Sequence, residues 1–250
     1  MLVFFSVLYD PGPNALRNIR LAKSLGIVPV VYLNKVDNKL MDELRSLDVV
    51  QLGRNVNEGL GIAFYEVEQY LQDNSIEHYI YFDQDTVVEK PAWLMILNTY
   101  SALFETNDVG VLFYGGNKKR STDVVVSSGC LFSMRIIDGI GRHDKTYFVE
   151  GVDYEFCLRL RKNNYRVLNV FTEYIDHEAL QDGNERKLLG SRFYVRVYGN
   201  SRLKDFNSSH VKLIFSSLRF GQVRMTFYFI KSMLAFNAKE YISRFLVTVS

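Results

Sequence analysis

The sequence predicts an α/β fold, a mainly parallel sheet flanked by helices and followed by a C-terminal helical extension. Three observations point there. From residue 2 to residue 116, short apolar runs alternate with segments whose apolar residues recur at helical spacing, the signature of strand–helix–strand units joined in parallel. The runs are continuous rather than alternating, as in strands covered on both faces. Residues 211–250 mix Phe, Leu, Ile and Met with spaced Lys and Arg, a composition suited to helices at an anionic interface.

The elements follow in order. LVFFSVLY (2–9) reads as a buried strand stopped by Asp10-Pro11-Gly12-Pro13. Leu16, Ile19, Ala22 and Leu25 give residues 14–25 a helical stripe, closed by Gly26. Strands are expected at 27–33, 49–53, 78–83 and 108–116, with helices at 39–47, 57–73 and 91–105, the last opened by Pro91. The second half is less regular: 124–134 is strand-like, 150–163 helical and 165–175 a strand. The expected domain division is 1–205 for the α/β part and 206–250 for a basic amphipathic helical tail.

The totals bound the function. A chain of 250 residues that is 48% hydrophobic and 23% charged is an ordinary globular composition with room for a full core. The net charge of +2 gives no reason to expect nucleic acid. Cys130 and Cys157 lie in apolar stretches and read as buried thiols of a reducing compartment. The apolar start lacks a basic leader region, and no stretch is apolar for long enough to span a bilayer. The expected location is cytoplasmic, with peripheral attachment to the inner face of the cytoplasmic membrane through the tail. Packing of the tail on protein, including a second copy in a homo-oligomer, is the competing reading.

Two acidic clusters carry the chemistry. Asp83-Gln84-Asp85 follows the apolar run HYIYF directly. Ligands of open α/β sheets bind at the carboxyl ends of strands, where carboxylates can hold a hard divalent cation against a diphosphate. Read structurally, the same residues are turn formers. The second cluster is Glu150, Asp153 and Glu155, before the apolar positions Phe156, Leu158 and Leu160. Its plain reading is acidic residues favoured at a helix N-terminus, with Arg159 an i,i+4 partner of Glu155. Its functional reading makes Asp153 a general base for a sugar hydroxyl.

Taken together, VLYDP, the N-x-N-E-G-L-G turn (55–61), YFDQDT (81–86), SSG (127–129), VDYEFCLRLR (152–161) and DHE (176–178) occur in an order that resembles the family 2 glycosyltransferases of GT-A (Rossmann-like) fold. The resemblance is to their bacterial rhamnosyltransferase-like branch and covers roughly residues 3–205. It implies Asp153 as the catalytic base and Asp85, His177 and Asp83 around Mn²⁺ or Mg²⁺. It implies Pro11, Asn34, Asn57, Gly59, Gly61, Asp83 and Gln84 beside the nucleotide-sugar donor, and Ser128, Gly129, Glu155 and Arg159 as acceptor-side or supporting residues. The acceptor it implies is a saccharide carried on lipid, in the synthesis of a surface polysaccharide of O-antigen or capsule type. The donor it implies is dTDP-rhamnose or a UDP-hexose. Two departures stand out. Leu33-Asn34-Lys35-Val36 replaces the family's Asp-Asn turn, with Asp37 the nearest acidic substitute, and Gly199 stands where an arginine is expected. These keep a non-catalytic, transferase-like binding subunit in play. A sugar nucleotidyltransferase is disfavoured, because Asp10-Pro11-Gly12-Pro13 is not a glycine-rich basic phosphate loop.

Overall fold

The computed structural model describes residues 1–105, 108–115, 124–177, 184–188, 191–195 and 198–248. They form two compact units, Met1–Glu178 and Ala179–Ser250.

The first unit opens with β1 (Leu2–Tyr9), α1 (Pro13–Ser24), β2 (Val28–Lys35), α2 (Asn38–Ser46), β3 (Val50–Leu52) and α3 (Leu60–Asp73). Pro13 starts α1, and Gly26 follows it at φ 78°, a left-handed turn that suits glycine. The chain continues through β4 (His78–Tyr81), β5 (Thr86–Val88), α4 (Lys90–Phe104), β6 (Val109–Gly115) and β7 (Cys130–Ser133). It ends with α5 (Met134–Ile140), α6 (Val152–Lys162), β8 (Arg166–Phe171) and β9 (Ile175–His177).

Seven strands make one sheet in the order β3-β2-β1-β4-β7-β6-β8. Only β7 runs antiparallel to its neighbours. The chain lays β2 and β3 on one side of β1 and then crosses to place β4 on the other. The order therefore reverses between β1 and β4, and the carboxyl ends of these two strands are the ligand position of such sheets.

Successive strand residues serve opposite faces. Phe4 points to one side, where its ring meets Trp93 of α4 at 5.3 Å and Phe82 at 6.1 Å. Phe5 points to the other, meeting Phe64 of α3 and Tyr81 at 5.1 Å each. Phe132 of β7 extends that second layer to Phe156 of α6, at 5.5 Å.

Several local expectations change. The helix expected from residue 57 begins at Leu60, because Gly59 adopts φ 86° in a turn before it. The strand-like stretch 124–134 contributes only Cys130–Ser133 to the sheet. The strand expected at 165–175 ends at Phe171, and the chain re-forms as β9, paired antiparallel with β5. Neither β5 nor α5 is anticipated by the sequence patterns.

The second unit holds the hairpin β10 (Asn184–Leu188) and β11 (Ser191–Val195) and the helices α7 (Asn200–Arg219) and α8 (Val223–Thr248). The expected boundary at 205/206 falls inside α7. The two helices pair through polar clasps: Asn207 with Asn237 in both directions, His210 with Ser232 at 3.2 Å and Ser217 with Thr226 at 2.9 Å. Phe206 stacks on Phe236 at 3.8 Å. The outer surface keeps Phe215, Phe227, Tyr228, Leu234 and Tyr241 exposed. Among the described residues, no helix is long and apolar enough to cross a membrane.

Candidate active site

The acidic turn stands at the switch point. Phe82 continues β4 by donating its amide to Phe5 O at 3.1 Å. Asp83 follows, then a turn closed from Thr86 N to Asp83 O at 3.1 Å. Gln84 fastens this turn to the end of β1. Its Oε1 accepts from Tyr9 N at 2.7 Å, and its Nε2 donates to Tyr9 O at 2.8 Å. The expected donor-side residue Gln84 is thus tied to main chain, holding the two strand ends in register. Asp83 is partly buried and Asp85 is exposed.

Ser128 and Gly129 support the turn from behind. The Ser128 hydroxyl accepts from Asp83 N at 3.1 Å and lies 2.8 Å from the Thr86 hydroxyl. Gly129 donates to Tyr81 O and accepts from Tyr114 N, each at 2.8 Å, knitting β4 to β6. It sits at φ 90°, and a β-carbon there would collide with Tyr114 O, so the position requires glycine.

Asp153 lies in the first turn of α6, behind the left-handed Gly151. Part of its surface stays accessible. Burial of the carboxyl group, with repulsion from Glu150 and Asp83, raises its pKa from 3.8 to about 7, against a lowering hydrogen bond from Tyr154 N. Tyr81 joins the two clusters. Its hydroxyl donates to Asp83 Oδ1 at 2.6 Å, and it feels the charges of Asp83, Asp85 and Asp153. Burial, the largest cause, and these carboxylates hold the phenol well above its usual pKa, so it remains a donor. Tyr81 precedes Asp83 by two residues, the spacing that returns a side chain to the same face of an extended segment. That spacing is the signal in the sequence for a residue that lies within YFDQDT but has no role in the acidic reading of that motif.

Glu155 and Arg159 form a fixed pair. The guanidinium donates to both Glu155 oxygens at 2.8 and 2.9 Å and to the carbonyls of Ile140 and Gly141 at 3.0 and 2.6 Å. This welds α6 to the end of α5 and so positions Asp153.

The 55–61 turn and Asn34 are engaged with protein. Asn34 Oδ1 accepts from Glu58 N at 3.1 Å, and Asn57 Oδ1 from Gly59 N at 3.3 Å. A β-carbon at Gly59 would strike Phe148, and one at Gly61 would strike Tyr147 O. Close approach of the 147–148 backbone explains both glycines. Asp37 caps α2, accepting from Leu40 N at 2.7 Å, so its carboxylate is committed there. Pro11 lies in the turn between β1 and α1.

The β5–β9 pairing sets the backbone of His177 opposite Thr86, one residue from Asp85. The side chain of His177 lies outside the described residues. Gly199, where an arginine is expected, stands at the start of α7 as its N-cap. Among the described residues, no group of three or more His, Cys, Asp or Glu converges as a metal cage.

Sequence reasoning also missed a buried trio. Glu68 accepts from Tyr79 Oη at 2.6 Å and His143 N at 2.8 Å, and its Oε1 lies 2.5 Å from His143 Nδ1. Glu68 and His143 are 75 residues apart, and no local pattern announces them.

No protein-family model matches the chain. Over 167 residues it is 26% identical to the dTDP-rhamnosyl transferase RfbF of Shigella flexneri, covering 56% of this chain and 55% of that protein. The chain thus spans about half the length of that curated relative. Among solved structures, S. aureus TarS superposes with a TM-score of 0.52 at 12% identity, covering 85% of this chain and 39% of TarS. Its 1–349 fragment gives a TM-score of 0.51 at 14% identity, covering 85% of this chain and 65% of the fragment. The mostly parallel seven-stranded sheet with helices on both faces is the GT-A-like fold of glycosyltransferases, and this chain carries it.

Proposed function

We propose that the protein is an inverting glycosyltransferase that moves a sugar from a nucleoside-diphosphate donor to a saccharide hydroxyl. The observation that carries this reading is Asp153. It is a carboxyl group poised near neutrality on a partly accessible residue, within electrostatic reach of Asp83 at the sheet's switch point. A base whose pKa matches the working pH has the best compromise of availability and strength.

In the proposed reaction Asp153 takes the acceptor hydroxyl proton. The freed oxygen attacks the anomeric carbon opposite the nucleotide, and the diphosphate departs with inversion. Asp83 and Asp85 would supply carboxylates for Mn²⁺ or Mg²⁺, and His177, whose backbone pairs opposite Thr86, is the third candidate ligand. A pair of carboxylates suits a cation that draws its remaining ligands from phosphate oxygens and water. Such an ion, when bound, would neutralise charge on the departing diphosphate. Tyr81 orients Asp83, and the Arg159–Glu155 pair holds the helix that presents Asp153.

Kinship with a dTDP-rhamnosyl transferase favours dTDP-rhamnose as donor. The α7–α8 pair favours a lipid-linked acceptor. On α8, Arg224, Phe227, Lys231 and Leu234 recur at helical spacing and are exposed, which suits an anionic bilayer surface.

Thermal unfolding with Mn²⁺ and a panel of UDP, dTDP and GDP tests the reading. A nucleotide at a hundred times its Kd stabilises by about 2.7 kcal/mol. One nucleotide should raise the melting temperature in a metal-dependent way that Asp85→Ala abolishes. A folded protein that responds to none of them would refute the transferase reading.

A further inference from the structure

Behind Asp153 lies a small cavity, lined among others by Ser127, Cys130, His143, Asp153, Phe156 and Cys157. The space open to a water centre is about 10 Å³, the size that holds one water molecule. Among the described residues, two polar atoms of that lining are buried without a partner: Ser127 Oγ and His143 Nε2. Buried polar atoms left without a partner are rare and ask for an explanation.

The surroundings of His143 leave one direction open. Its ring is stacked between Phe64 at 4.2 Å and Phe156 at 4.1 Å. Its Nδ1 and backbone amide are both held by Glu68. Both faces and the Nδ1 edge are taken, and Phe132, itself a lining residue, meets the ring near-perpendicularly at 5.3 Å, so the edge bearing Nε2 lies on the side of Phe132 and the cavity. Asp153 Oδ1 accepts from Tyr154 N at 2.9 Å. The other titratable groups lining this space are Cys130 from β7 and Cys157 from α6; Tyr79 of β4 bonds Glu68 beside it, and Glu150 and Asp83 act on Asp153. Burial pushes the Cys157 thiol up to about 12 and Tyr79 well above its usual value, so neither supplies a negative charge here.

We propose that one ordered water fills this cavity and joins Asp153 to Ser127 Oγ and His143 Nε2, making the Glu68–His143 pair a positioning element for the base. This rests on the transferase reading for the role of Asp153, while the water site itself does not. Three hydrogen bonds satisfy the water and both orphaned atoms, and Glu68 fixes the orientation of the ring. The water donates to the Asp153 carboxylate and favours its charged form. The arrangement links the base on α6 to a carboxylate on α3.

A high-resolution crystal structure of the wild type should show a water within hydrogen-bond distance of Asp153, Ser127 and His143, and a dry cavity would overturn the proposal. Ser127→Ala leaves the Glu68–His143 pair intact and should fold. In this variant the acid limb of kcat should move up by about one pH unit, the loss of one hydrogen bond to the charged form. The nucleotide-induced melting shift should stay as in the wild type. His143→Phe should move the limb the same way. A limb that stays in place in folded Ser127→Ala would also overturn the proposal. A wild type without transfer activity would refute the transferase reading alone, because the crystal still decides the water.

Discussion

Replacing Asp153 with asparagine should remove activity and stabilise the protein. The folded state raises the Asp153 pKa from 3.8 to about 7. Below pH 3.8 the carboxyl is neutral in both states and adds no penalty. Between 3.8 and 7 the unfolded chain releases the proton while the folded chain keeps it, so stability falls as pH rises. Above 7 the penalty is constant. About three units at roughly 1.4 kcal/mol each set a ceiling of about 4 kcal/mol. Partial exposure of the group and relaxation around it should reduce this to about 2 kcal/mol. The asparagine amide keeps an oxygen to accept from Tyr154 N and carries no charge to be repelled by Glu150 and Asp83. The assay is urea unfolding of wild type and Asp153→Asn at pH 4.5, 6 and 8, without divalent cation. The variant's advantage should be small at pH 4.5 and full at pH 8, where a gain of about 2 kcal/mol corresponds to roughly 4–8 °C in Tm. Equal stabilities at pH 8, or a difference that ignores pH, would refute the argument that burial charges Asp153 at a cost.

Three further outcomes are expected. The wild-type rate of sugar transfer should fall tenfold per unit below pH 7, and Asp153→Asn should lose about 10²–10⁴-fold in kcat while keeping its nucleotide-induced melting shift; a flat acid limb counts against Asp153 as base. Gly129→Ala should destabilise by about 3 kcal/mol, measured by urea unfolding, since it combines a left-handed φ with a collision at Tyr114 O; a neutral result would show that the strand junction yields easily. Arg159→Met should destabilise by about 3–5 kcal/mol, because it leaves Glu155 buried and unpaired, and restoration by the double change with Glu155→Leu separates that cost from catalysis.

The local pattern was enough for the strand–helix alternation, the turn after β1, the two acidic clusters and the helical ending. These follow from short-range rules: apolar periodicity, proline at a helix start, carboxylates at a strand end. The same rules misjudged segments whose conformation depends on distant partners. Thr86–Val88 is extended because β9 pairs with it and Asn18 of α1 binds its backbone. Gly59 and Gly61, placed beside the nucleotide by the resemblance, also meet a demand that only packing reveals, the close approach of Tyr147 and Phe148.

By itself, then, the sequence determined which residues were chemically able to act: Asp83, Asp85 and Asp153 are spaced and flanked so that a strand end and a helix start must present them. Only the tertiary structure decided their company. It brought Asp153 under the influence of Asp83 across 70 residues of chain, gave Gln84 to the end of β1, and sealed Glu68 and His143 into the core behind the base. The reason is physical. Backbone propensity is local and can be read from neighbours, whereas a carboxyl group's pKa and a polar atom's partner depend on burial, which exists only once distant segments have packed.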